Sequence, residues 1–292
     1  MQNSRFRKLL LILLTSFYAL NAKSQTSIKP QDPRPEWAPD IKPEMEAVIE
    51  KLESFNAKPI TELNAKEARK NPTPTTAVMA IIKEKNIVVS PSMVDTSGKG
   101  IAVAGGKIHL RINTPKNASS SLPIIVYYHG GGWVIADLDT YDASAKGLSE
   151  QVGAIVISVA YRQAPEHKFP TAHNDSYTAY EWALKNAASL KGDPKNVAVA
   201  GESAGGNLAA AVCMMARDKG AQLPVHQLLI YPIAGYDFTT PSYQKYALAK
   251  PLNKEMMQWF FEKYLRTPED GMSPWISFSE WKSKWPAGRN NY

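Results

Sequence analysis

A single cysteine, Cys213, stands among 292 residues, so no intrachain disulfide can form. Its setting, "AAAVCMMA", is apolar and marks it as a small core residue rather than a reactive thiol. Charge of one sign is not concentrated either. The formal net charge is +7, with Arg5, Arg7 and Lys8 supplying part of it at the N-terminus. Without a basic stripe interleaved with aromatics, the usual footprint of a nucleic-acid-binding protein is missing. The apolar run Leu9–Leu20 falls short of the ~20 residues that span a bilayer. Internal repeats and low-complexity segments are lacking. Histidine is scarce: there are five, and only His226 follows position 203.

What is present reads as an ordinary globular chain, 44% hydrophobic and 21% charged, long enough for one large α/β domain. Residues 1–22 have the form of a secretory signal peptide: a basic start, a short apolar run, then small residues at Ala22 and Ser24. This predicts export to the periplasm or beyond, cleavage after Ala22 or Ser24, and no stable membrane span in the mature chain. Residues 23–85 read as a proline-rich linker (Pro30, Pro33, Pro35, Pro39, Pro43) followed by N-terminal cap helices. The first of these helices aligns Met45, Val48, Ile49 and Leu52 on one face. The sequon at Asn117 carries little weight.

From residue 86 to 292 the pattern is that of an α/β core. "NIVVSPSMV" and "KIHLRINTP" read as two strands of a meander. "LPIIVYYHG", "AIVISVAYR", "NVAVAGES" and "VHQLLIYPIAG" read as strands buried on both faces. Helical stretches alternate with them, including "AGGNLAAAVCMMARDKG" and, near Asn253, "PLNKEMMQWFFEKYL" with Met256, Phe260 and Tyr264 one turn apart. Such alternation predicts a mostly parallel sheet with helices on both faces.

Two glycine-rich stretches carry chemistry. "GESAGG" (Gly201, Glu202, Ser203, Ala204, Gly205, Gly206) joins a strand to a helix through a sharp turn. That context exposes a serine nucleophile at the carboxyl edge of a sheet, with the backbone N–H of Ala204 turned toward a developing oxyanion. "HGGGW" follows a buried strand directly, and its glycines let backbone donors approach a ligand closely. Gly130 and Gly131 are the expected oxyanion donors. His129 and Gly132 support the loop, as Gly201, Glu202 and Gly205 support the turn. Trp133 is expected to pack or line the pocket. A phosphate loop is excluded, because neither G-x-x-x-x-G-K-[ST] nor G-x-G-x-x-G follows.

"HGGGW", "VAYRQAPEHKFPTAHND" and "GESAGGNLAAAV", in this order, resemble the hormone-sensitive-lipase-like branch of the α/β-hydrolases over about residues 34–286. The resemblance implies the α/β-hydrolase fold with an N-terminal helical cap. It implies hydrolysis of small carboxylic esters by a serine nucleophile, without metal or organic cofactor. It also implies structural roles for Arg162, Pro165, Glu166, Phe169, Pro170 and Asp175. The family places its triad aspartate and histidine beyond the region that "MSPWISFSEWKSKWPAG" resembles, so both are expected to be missing here along with the last strands and helices. Asp237 and Asp270 sit in no comparable acid motif. The expectation is therefore a C-terminally truncated, weak or inactive esterase. A base migrated to His173 or His167 is the first alternative. The others are a non-catalytic binding protein that keeps the pocket, and an amidase or formamidase. Oligomeric state is not legible.

Overall fold

A computed structural model describes residues 28–116 and 121–280. The segment read as a signal peptide, the Asn117 sequon, Trp281 and Trp285 lie outside the described residues.

Six strands form one sheet: β1 (Val94–Val103), β2 (Gly106–Pro115), β3 (Leu122–Tyr128), β4 (Ile155–Ala160), β5 (Gly192–Glu202) and β6 (Gln227–Ile230). Their order is β1-β2-β4-β3-β5-β6. The β1–β2 and β2–β4 pairs are antiparallel, and β4, β3, β5 and β6 run parallel. The sheet is thus mixed, with the parallel half carrying the two motifs.

Alternation along the strands assigns each face. Ile124, Val126 and Tyr128 of β3, Ile155, Ile157 and Val159 of β4, and Val197 and Val199 of β5 point into the main core. The intervening Ile125, Tyr127, Val156 and Ala200 point to the other face. The main core is closed by α5 (Thr171–Asn186), α6 (Ala204–Asp218) and α8 (Lys254–Tyr264). The other face is covered by α4 (Asp142–Val152) through Ala145 and Leu148. The helices α1 (Pro43–Glu53), α2 (Ala65–Ala68) and α3 (Pro74–Glu84) precede the sheet, and α7 (Pro241–Lys245) follows it. Among the described residues no helix is long and apolar enough to cross a membrane.

Several sequence expectations need correction. "NIVVSPSMV" is not a strand: pairing begins at Val94 and runs through the polar "DTSGKG". Val88 is 87% exposed, and the segment is tied down instead by Glu150, which accepts from Ser92 Oγ and Met93 N. Only Gln227–Ile230 of "VHQLLIYPIAG" pairs, and at the edge of the described sheet Leu228 remains exposed. In α1 the buried residues are Glu46 and Ala47, while Met45 is exposed. In α8 the covered face is broader than Met256, Phe260 and Tyr264, taking in Met257, Trp259 and Phe261. That helix starts where Asn253 Oδ1 accepts from Met256 N at 2.8 Å, a side-chain N-cap.

The segment between β4 and α5 behaves as a frame. Arg162 grips the buried Asp175 with Nε (2.9 Å) and Nη2 (2.7 Å), and its own amide donates to the same carboxylate at 3.0 Å. Arg69, just after α2, forks onto Glu166 (2.8 and 2.7 Å) and also donates to the carbonyls of Val134 and Ala164. This pairing holds the Glu166 carboxyl down at about 2. Paired guanidinium–carboxylate forks of this kind fix geometry as well as energy.

Candidate active site

Between β5 and α6 the chain turns at Ser203, which adopts φ 54°, ψ −117°. A non-glycine residue here is strained, and such strain persists only where the surroundings over-determine it. Three backbone hydrogen bonds do so: Ser203 N donates to Ile230 O (2.9 Å), while Asn207 N (3.1 Å) and Ile233 N (3.2 Å) donate to Ser203 O. The turn is closed by Gly205. A Cβ there would lie 2.5 Å from the carbonyl carbon of Tyr128 and 2.6 Å from His129 O, so helix and strand approach as closely as backbone allows.

The glycine loop lies against this turn. Gly131 (φ 106°) and Gly132 (φ 58°) both need the left-handed region, and a Cβ on Gly131 would sit 2.8 Å from the carbonyl carbon of Ile135. The carbonyl of Gly131 accepts from Val134 N and Ile135 N. Among the described residues, the amides of Gly130, Gly131 and Ala204 donate to no protein acceptor. They are available to a ligand oxygen.

His129 is buried, and its Nδ1 lies 2.7 Å from Gly130 O. A carbonyl can only accept, so Nδ1 carries the proton and orients the loop. Tyr161 stacks on the imidazole at 4.4 Å and donates to His129 O. Trp133 is fully buried and stacks on Tyr264, so it packs the core rather than lining the cleft.

His173 is likewise a core group and does not reach Ser203. Asn207 uses its Nδ2 to donate to Ile233 O and Ile276 O, which leaves Oδ1 to accept from His173 Nε2 at 3.0 Å. The Nδ1 atom therefore accepts from Tyr264 OH at 2.7 Å. Both ring nitrogens are engaged, and Trp275 stacks on the ring. The other histidines lie on exposed surfaces: His167 in the frame loop, His226 at the amino end of β6, and His109 over Gly98 on the β1–β2 hairpin. Among the described residues, which include all five histidines, none bonds to Ser203. Asp237 Oδ1 accepts from Thr239 N and Oγ1, and Asp270 is paired with Arg266.

A cleft of ≈ 390 Å³ opens beside the serine, lined by Ser203, Tyr231, Ile233, Asp237, Tyr243 and Met257 among others. Tyr231, 69% exposed overall, is no substitute base: partial desolvation of its phenol and the nearby Glu202 push it up to about 12, so it stays protonated. Sequence reasoning passed over Tyr127 and Tyr231, which donate to the two Glu202 oxygens from β3 and from the loop after β6. Only the fold brings these phenols together.

Burial lowers both His129 and His173 to about 4. Each is neutral in the folded chain, whereas the unfolded chain takes up their protons near 6.5. Stability is therefore full above pH ~6.5 and falls as pH drops toward 4, by about 1.4 kcal/mol per pH unit for each histidine. Urea midpoints at pH 7.5, 6 and 5 are expected to fall in that order, and a flat profile between pH 7.5 and 5 would contradict these assignments.

A family model described as the alpha/beta hydrolase fold matches residues 125–286. Carboxylesterase NlhH of Mycobacterium tuberculosis is 44% identical over 158 residues, covering 54% of this chain and 50% of that protein. The chain thus spans about half the length of the first curated relatives it matches. Among solved structures, a thermostable esterase from Pseudomonas putida ECU1011 superposes with TM-score 0.72 at 32% identity, covering 82% of this chain and 72% of that one. The carboxylesterase EstE1, from a metagenomic library, gives TM-score 0.67 at 37% identity, covering 74% and 72% respectively. On its fold, its motifs and these similarities, the chain belongs to the hormone-sensitive-lipase-like family of α/β-hydrolases, whose serine ester hydrolases it resembles over the parallel half of the sheet.

Proposed function

We propose that this chain carries the nucleophile and oxyanion half of a carboxylic ester hydrolase. Ser203 Oγ attacks the ester carbonyl, and the amides of Gly130, Gly131 and Ala204 receive the oxygen that gains charge. The observation that carries this reading is the strained serine turn facing a glycine loop whose amides have no protein acceptor. Preorganised donors of this kind contribute most where charge develops. The substrate is a small ester, in keeping with the cleft of ≈ 390 Å³, and neither metal nor organic cofactor takes part. We further propose that turnover by this chain is weak, because no histidine stands within reach of Ser203 to take its proton. The leader is read as directing export.

An equilibrium probe tests the placement without requiring a base. Phenylboronic acid accepts Ser203 Oγ at boron, forming a B–O bond and releasing the serine proton to solvent; the tetrahedral boronate occupies the oxyanion site. A tetrahedral boron resonance is expected with the native chain and not with Ser203→Ala. No such resonance in the native chain, or an equal one in the variant, would defeat the reading.

A non-catalytic binding protein is the second reading, favoured by the open cleft beside a serine without a base. It predicts that ester-like ligands bind the cleft and dissociate unchanged.

A further inference from the structure

The cluster of Glu202, Tyr127, Tyr231 and Tyr141 lies directly beneath the serine turn, and the chemistry above makes no use of it. In the sheet order β3-β5-β6, Glu202 ends the middle strand and reaches both neighbours. Its Oε1 accepts from Tyr127 OH at 2.6 Å, and its Oε2 accepts from Tyr231 OH at 3.1 Å. Glu202 is 8% exposed, so these phenols stand in for water its carboxylate has lost. Tyr231 is itself strained, at φ 36°. It sits between Ile230, whose carbonyl accepts from Ser203 N, and Ile233, whose amide donates to Ser203 O. Tyr141 extends the cluster to the glycine loop, its Cζ lying 3.2 Å from where a Gly130 side chain would begin.

We infer that Glu202, held by Tyr127 and acting through Tyr231, is a positioning residue: it braces the Ile230–Ile233 segment against the backbone of Ser203 and so fixes the serine relative to the oxyanion amides. The distinction from simple packing is chemical. Glutamine fills the same volume as glutamate but is neutral and presents an N–H at one of the two positions, so one phenol must reverse and accept, and both bonds lose their charge assistance. A packing role tolerates that exchange, whereas a brace does not. The inference rests on Ser203 being the nucleophile only for its effect on ligand binding. The clamp itself can be read independently.

Amide hydrogen exchange reads the clamp. Exchange at Ile233 is expected to quicken about tenfold in Glu202→Gln and in Tyr231→Phe, the loss of one charge-assisted bond, with amides inside α5 unchanged. Phenylboronate affinity reads the consequence. Each variant is expected to weaken the adduct about tenfold, and the double variant to be no weaker than the weaker single, because both remove the same link. Unchanged exchange at Ile233, or losses that multiply in the double variant, would overturn the brace. Quickened exchange in the variants with no adduct in the native chain would uphold the brace and count instead against Ser203 as nucleophile.

Discussion

Purified chain is expected to hydrolyse p-nitrophenyl acetate about 10⁶-fold more slowly than a serine hydrolase with an intact triad, and Ser203→Ala is expected to lower that residual rate by less than about tenfold. Triad members act as a unit, so removing a second costs little once the first is lost. On this reading, none of the five histidines is placed to serve as the base. His129 uses Nδ1 to hold Gly130 O, His173 is saturated by Asn207 and Tyr264, and the other three histidines are exposed elsewhere on the surface. Burial keeps the first two neutral down to about pH 4, but a neutral imidazole without access to Ser203 transfers no proton. The proposed oxyanion amides alone would leave ~10³–10⁴ over water. A turnover number above about 1 s⁻¹, the ordinary range for enzymes, that vanishes in Ser203→Ala would sink this expectation and require a base from somewhere the geometry does not offer.

The second large effect concerns stability. Gly205→Ala is expected to cost about 4 kcal/mol or more, beyond what most single substitutions cost. The added methyl would fall under 3.0 Å from backbone atoms of both Tyr128 and His129, and backbone cannot swing aside as a side chain can. Relief would mean moving α6 off the carboxyl end of β3, which separates Ser203 from the glycine loop. Gly147→Ala is the matched control. It lies inside α4 with open space where its methyl would go, and it is expected to be neutral or stabilising by up to about 1 kcal/mol. Urea midpoints for the two variants decide the matter; a Gly205→Ala chain as stable as Gly147→Ala would mean that the elbow is looser than its contacts imply.

How much of this the sequence disclosed depended on whether the information was local. The strands β3, β4 and β5 were legible because burial on both faces demands continuous apolar runs, as in "PIIVYY" and "IVISVA". The strand β1 was not, because an edge strand that buries little beyond Val94 and Ile101 need not look apolar. The helix α4 escaped notice because it covers the sheet with small residues, Ala145 and Ser149, which stand one turn apart but carry little hydrophobic signal. At the site, the two glycine-rich motifs announced themselves through the conformations they permit. The position of His173 could not be read, since its partners come from residues 207, 264 and 275. The same holds for the phenols around Glu202, which lie 75 and 29 residues away from it.

The anchoring of the N-terminal helices has a consequence for the order of events during synthesis. Arg69 finds its partners only at Val134, Ala164 and Glu166, and Leu63 receives the indole N–H of Trp259 across a separation of 196 residues. At translation rates of about 5–20 residues per second, the second partner emerges roughly 10–40 s after the first. The segment around α2 is thus latched in two stages, first when residues 134–166 have been made and again when Trp259 follows.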